Sequence, residues 1–124
     1  MKKSVSVYLY DILEYVNRIE TYTHNGETEF RSDTKTQDAV ARAYEIIGEI
    51  VKRLPQETLE LQPHVDWKAI KGFRDILIHQ YDNIDLDRVW DAVEKLPSLR
   101  AAVEAMLASL PPEEDEGNEA NGTT

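Results

Sequence analysis

Trp67-Lys68-Ala69-Ile70-Lys71-Gly72-Phe73-Arg74-Asp75-Ile76-Leu77-Ile78-His79-Gln80-Tyr81 is the stretch on which the fold class turns. At about 100° per residue, Ile70, Arg74, Leu77, Ile78 and Tyr81 fall within an arc of roughly 100° around Trp67, the stripe of an amphipathic helix. Asp66 is a natural N-cap for it, and Asp82 and Asn83 are natural terminators. Arg74 lies in the middle of the apolar stripe. A guanidinium there needs an anionic partner such as Asp33 or Asp38, a second subunit that covers it, or a ligand phosphate.

The same helix end carries a group of chemically useful side chains. Arg74 is a permanent cation that forks onto phosphate oxygens, His79 exchanges protons near neutral pH, and Tyr81 offers a hydroxyl. Five residues of an ideal helix place His79 about 140° from Arg74, over Gly72 and Asp75. One copy of the helix therefore does not aim both at one phosphate. Either the helix loosens near His79, or a second copy supplies the complementary group across a twofold axis, with Gly72 permitting close approach of another backbone. A composite site at a dimer interface is the reading preferred.

Working outward, the same periodicity recurs along the chain. Val5, Tyr8, Leu9, Ile12, Val16 and Ile19 predict a helix from about Val5 to Tyr22, stopped by Thr23-His24-Asn25-Gly26. His24 reads as a last-turn cation near the helix dipole. After a polar segment containing Phe30, Asp33 or Thr34 caps a helix with Val40, Ala43, Ile47, Ile50, Val51 and Leu54 on one face, ended by Pro55. Pro55 to Pro63 is a loop or short helical turn, and His64 falls in the loop. Asp85 caps a helix bearing Leu86, Val89, Trp90, Val93 and Leu96; Pro97-Ser98 separates it from a last helix with Leu99, Val103, Met106, Leu107 and Leu110. No segment alternates with period two, so the expected class is all-α, an antiparallel bundle of four to five helices.

Length and composition bound the function. The 124 residues suit one domain, expected over 1–110, followed by a disordered acidic tail over 111–124. The chain has no cysteine, which removes thiol catalysis and zinc-thiolate sites. No metal-binding His pair or Gly-rich phosphate loop is present, and neither a cofactor nor a metal is expected. Without an 18-residue apolar run or a signal-type block after its two lysines, the chain is expected to be cytoplasmic and free of membrane. The formal charge is -10, and the tail holds five acids and no base. Contact with nucleic acid then depends on a local cationic patch, for which Lys68, Lys71 and Arg74 are the source.

In order and spacing, several segments resemble the bacterial HEPN-domain toxins of the HepT type. They are Tyr8-Leu9-Tyr10-Asp11-Ile12-Leu13, Arg18-Ile19-Glu20 with Tyr22-Thr23, Thr36-Gln37-Asp38-Ala39-Val40, Ile46-Ile47-Gly48-Glu49, Trp67 with Ile70, Gly72-Phe73-Arg74-Asp75-Ile76-Leu77-Ile78-His79, and Asp85-Leu86 with Trp90. The resemblance implies a helical homodimer with its site at the interface, acting as a metal-independent endoribonuclease. Arg74 and His79 match that family's catalytic pair, and Asp75 is a supporting residue. Tyr81 matches the tyrosine onto which a cognate MntA-like nucleotidyltransferase antitoxin transfers adenylyl groups, as in type VII toxin-antitoxin systems. On this reading His79 is base or acid, two copies supplying both, and Arg74 holds the phosphate. The alternative is a non-catalytic partner that presents Tyr81 to a minimal nucleotidyltransferase.

Overall fold

A computed structural model describes residues 3–80 and 82–111, and all of their regular structure is helical. The elements are α1 (Val5–Tyr22), α2 (Glu27–Ser32), α3 (Thr34–Arg53), α4 (Gln56–Leu59), α5 (Trp67–His79), α6 (Leu86–Glu94) and α7 (Leu96–Ala108). Four of them begin where a short polar side chain can hold a free amide. Val7 N–H donates to Ser4, Lys35 N–H to Asp33, Ala69 N–H to Asp66 and Arg88 N–H to Asp85. Such a cap is worth about 1 kcal/mol, so these residues fix helix starts locally before any packing occurs.

α3 is the central element, packed between α1 and α5, while α7 covers another side of α1. Leu9, Ile12, Val16 and Ile19 of α1 meet the buried face of α3, including Val40, Ile47 and Val51, and α7 adds Val103 and Met106. Arg100 of α7 ties the two layers together at the far end of α1, where it donates to Asn17 at 2.7 Å and pairs with Glu20. Among the described residues no helix is long and apolar enough to cross a membrane.

The bundle confirms the all-α expectation and corrects its details. The polar segment after α1 is itself a helix, α2, because its single large apolar residue, Phe30, is 1% exposed and stacks 5.4 Å from Trp90. One apolar residue in six leaves no period to detect. Gly26, expected to end α1, instead starts α2 with φ at 96°, a left-handed conformation that glycine adopts without strain. Thr23 ends α1, its hydroxyl donating to the Ile19 carbonyl at 2.8 Å. Gln37 donates to the Phe30 and Arg31 carbonyls and closes the end of α2. Pro97 does not separate α6 from α7 but sits in the first turn of α7, where its missing N–H has no carbonyl to serve. The real break is Lys95. The acidic tail assigned to 111–124 lies, beyond Pro111, outside the described residues.

Candidate active site on helix α5

α5 is anchored at its start by Trp67, whose indole N–H is shared between the Leu59 and Gln62 carbonyls, each at 3.0 Å. From there Ile70, Phe73 and Leu77 face the core, with Phe73 against Tyr44 at 5.4 Å. The buried face is therefore turned toward Phe73 relative to the stripe centred on Trp67, and Ile78, placed inside that stripe, is 39% exposed. Arg74 consequently lies on the flank of the helix and not in the middle of its buried face. The helix ends at His79, with Gln80 as its C-cap, two residues before the expected end. Tyr81 lies outside the described residues.

Where α5 crosses α3, the backbones come close at Gly48. A Cβ on that residue would lie 2.4 Å from the Arg74 Cβ and 3.2 Å from the Ile70 carbonyl oxygen. Gly72, expected to admit the backbone of a second copy, has nothing of its own chain within 4 Å of the position its Cβ would take. Within the chain the close packing is made by Gly48, and Gly72 faces open space.

The Arg74 guanidinium has carboxylate partners inside the chain, but they are neither Asp33 nor Asp38. Its Nη1 donates to Asp75 Oδ1 at 2.9 Å, and its Nη2 pairs with Glu49 Oε1 at 3.1 Å. Asp33 is occupied as the α3 cap, accepting from Lys35 N–H and the Thr36 hydroxyl, and its pKa is lowered chiefly by Thr36. The Arg74 side chain is 25% exposed, so both ion pairs sit at a surface. Its Nε is buried without an acceptor. An arginine has five N–H donors, so this one keeps capacity for an incoming anion.

His79 and Arg74 share no hydrogen bond, in keeping with their angular separation on the helix, yet one residue touches both. His79 Nδ1 is 2.8 Å from the Asp75 backbone carbonyl, which accepts and never donates, so Nδ1 carries the proton. The other ring nitrogen, Nε2, is left as the proton acceptor on an exposed side chain. Asp75 thus serves the imidazole through its backbone. Its carboxylate binds Arg74 of its own chain and Lys52 Nζ at 3.2 Å.

Those two cations hold the Asp75 carboxyl below its ordinary range, Arg74 contributing most and Lys52 next. A carboxyl whose pKa falls on folding adds stability above its unfolded value, and that stability is lost as pH drops through the folded value. The wild-type melting temperature should therefore fall more steeply below about pH 4 than that of Asp75→Asn, the unfolded pKa being about 3.9. Parallel acid limbs in thermal melts of the two proteins would contradict the pairing.

A recess among the described residues lies elsewhere. A groove of about 940 Å³ opens on the side of α5 that faces α6 and the start of α7, lined by Tyr44, Ile70, Phe73 and Leu99 among others, and it contains neither Arg74 nor His79. Burial there pushes the Tyr44 phenol far above its ordinary value, and its hydroxyl has no partner. Among the described residues no group of three His, Asp or Glu side chains is placed to hold a metal ion.

Glu49, Gly48 and Lys52 belong to the site although local sequence spacing does not point to them. The available signal is a glycine inside the buried face of an otherwise strong helix, followed directly by an acid.

Comparison with known proteins finds relatives over most of the chain. A protein of Thermococcus cleftensis named "Probable ribonuclease HepT" is 42% identical over 108 residues, 86% of this chain and 98% of that one. "Putative RNase MJ0127" of Methanocaldococcus jannaschii is 40% identical over 116 residues, covering 92% of this chain and 96% of the relative. No solved structure matches the chain significantly. The family model described as "Ribonuclease HepT-like" matches residues 12–106, a span that holds α2 to α6 whole and includes Gly48, Arg74 and His79. Sequence, helical architecture and family model agree, and the chain belongs to the HepT-like ribonuclease family.

Proposed function

We propose that the protein is an endoribonuclease that cleaves RNA without a metal ion, using Arg74 of one copy and His79 of a second copy at a homodimer interface. The observation that carries this reading is the double role of Asp75, whose carboxylate binds the guanidinium while its carbonyl fixes the imidazole. In the reaction, His79 Nε2 removes the proton from a ribose 2'-hydroxyl, and that oxygen attacks the adjacent phosphorus. The bond from phosphorus to the 5'-oxygen breaks, the leaving oxygen takes a proton from water, and a 2',3'-cyclic phosphate remains. Arg74 offsets the negative charge that builds on the phosphate oxygens. Arginine suits this task better than lysine because its planar fork meets two oxygens at once. Digestion of RNA in EDTA by the purified protein tests the reading, and intact RNA would contradict it.

Family membership also supports a place in a toxin-antitoxin pair. In that role a nucleotidyltransferase would transfer adenylyl groups from a nucleotide to the Tyr81 oxygen, releasing pyrophosphate and setting bulk and negative charge two residues from His79. The proposed site then closes to phosphate. A second reading, a non-catalytic partner that only presents Tyr81, draws support from the net charge of -10. RNA left intact by protein shown by mass to be free of adenylyl groups would favour it.

The net charge makes binding depend on local cations. Among the described residues, Lys68 and Lys71 have no carboxylate within ion-pair distance, and they precede Arg74 on α5 within two turns. If both neutralise phosphates, Lys68→Gln with Lys71→Gln should lower the salt dependence of single-stranded RNA binding by about 1.4 in log K per log salt, about 0.7 for each phosphate no longer neutralised. Fluorescence anisotropy across a salt series measures this slope, and an unchanged slope would remove both lysines from the RNA path.

A further inference from the structure

We propose that Glu49 is a positioning residue for Arg74, an inference that rests on the reading of Arg74 as the phosphate-binding group. Arg74 has two charged partners, and they differ in kind. Asp75 is its neighbour on α5 and moves with it. Glu49 stands on α3, so its ion pair at 3.1 Å is the one that refers the guanidinium to the rest of the bundle. The stem is fixed at the same level, because Gly48 leaves room there for the Arg74 Cβ and Cγ and for nothing larger than hydrogen on α3. Gly48 seats the side chain, and the next residue holds its head.

A carboxylate in that place would ordinarily compete with a substrate phosphate for the guanidinium. Here Glu49 is shared. Its Oε2 accepts from Arg53 Nε at 3.1 Å and lies 2.9 Å from Arg53 Nη2, while Oε1 faces Arg74. Two guanidinium groups on one carboxylate leave a net positive charge, so the grip is directional without neutralising the site. Lys52 plays the corresponding part for Asp75, which it shares with Arg74. Three cations thus surround two acids, and an incoming phosphate meets an excess of positive charge on a group whose direction is already set.

This arrangement predicts opposite kinetic signatures for its two members. Glu49→Gln keeps the shape but removes the charge that separates two guanidinium groups, so Arg74 loses its direction. The kcat should fall about 10- to 100-fold with KM within about twofold of wild type, the range expected when a positioned group shifts by up to about 1 Å. Arg53→Gln leaves Glu49 gripping Arg74 alone, so phosphate must displace an undiluted carboxylate and KM should rise more than kcat falls. Steady-state cleavage of a fluorescent RNA by full-length protein gives both constants. Nitrogen-15 NMR of the arginine side chains gives a readout free of activity. Wild-type protein should show resolved, slowly rotating Arg74 Nη signals, and Glu49→Gln should average them. Arg74 signals unchanged in Glu49→Gln, or kcat within twofold of wild type in a protein that cleaves RNA, would overturn the proposal. Intact RNA with wild-type protein would instead overturn the ribonuclease reading, cleavage that survives Arg74→Ala would overturn the reading of Arg74 as the phosphate-binding group, and in either case the NMR comparison would decide the role of Glu49 by itself.

Discussion

His79→Ala should reduce RNA cleavage by about 10²- to 10⁴-fold, the range for loss of a positioned general base, with little change in melting temperature. The side chain is exposed and its one hydrogen bond runs to the carbonyl one turn back on its own helix, so the bundle loses almost nothing when it is removed. Arg74→Ala should lower the rate by about 10²- to 10³-fold through loss of charge stabilisation at the phosphate. It differs from His79→Ala in its structural cost, since Glu49 and Asp75 then lose a shared cation at a partly buried position. Initial rates with labelled RNA in EDTA, read beside thermal melts, separate the two effects. Rates near wild type in either variant would remove that residue from the chemistry.

Gly48→Ala is the second change expected to have a large effect. The new methyl would sit 2.4 Å from the Arg74 Cβ and 3.2 Å from the Ile70 carbonyl, so α5 must move away from α3. Overpacking of this kind costs about 1–3 kcal/mol, and the better helix propensity of alanine returns about 1 kcal/mol. The net loss of stability is modest. The effect on activity is not, because the displaced residue is Arg74 itself and a shift of about 1 Å at a catalytic group costs about 10²-fold. Gly72→Ala offers the contrast. It meets nothing within 4 Å and should raise the stability of the isolated chain by up to about 1 kcal/mol. Chemical denaturation and RNA cleavage of the two variants measure the difference, and equal behaviour would contradict the close crossing of α3 and α5.

The helices that bury a periodic face are legible in the sequence, and those that do not are hidden. α1 and α3 follow from repeating apolar positions bounded by Thr23, Asp33 and Pro55, and the structure places their ends there. α2 escapes detection because Phe30 alone carries its packing, and a single residue has no period. The same limit applies to the site. Arg74, Asp75 and His79 lie within six residues of one helix, so their spacing can be read directly. Glu49 and Gly48 are 25 and 26 positions before Arg74, and nothing in local spacing reports that α3 brings them there. The angular reading of α5 is off by tens of degrees because it takes Trp67 as the centre of the buried face. Trp67 is buried by the short segment before α5, where its indole bonds to Leu59 and Gln62, and the helix faces the core through Phe73 and Leu77.

Because Arg74 and His79 share no hydrogen bond within one chain, the central claim is that a second copy completes the site. Mixing inactive Arg74→Ala protein with inactive His79→Ala protein tests it most directly, after partial unfolding and refolding to exchange subunits. A mixed dimer holds one pairing of intact Arg74 with intact His79 across the axis and one pairing that lacks both. Its one imidazole serves as the base, and water protonates the leaving oxygen as at each wild-type pairing. With random exchange, cleavage should rise clearly above the sum of the separate variants, with a ceiling of about a quarter of the wild-type rate. Cleavage no greater than that sum, in a sample shown by mass to contain mixed dimers, would contradict the shared site.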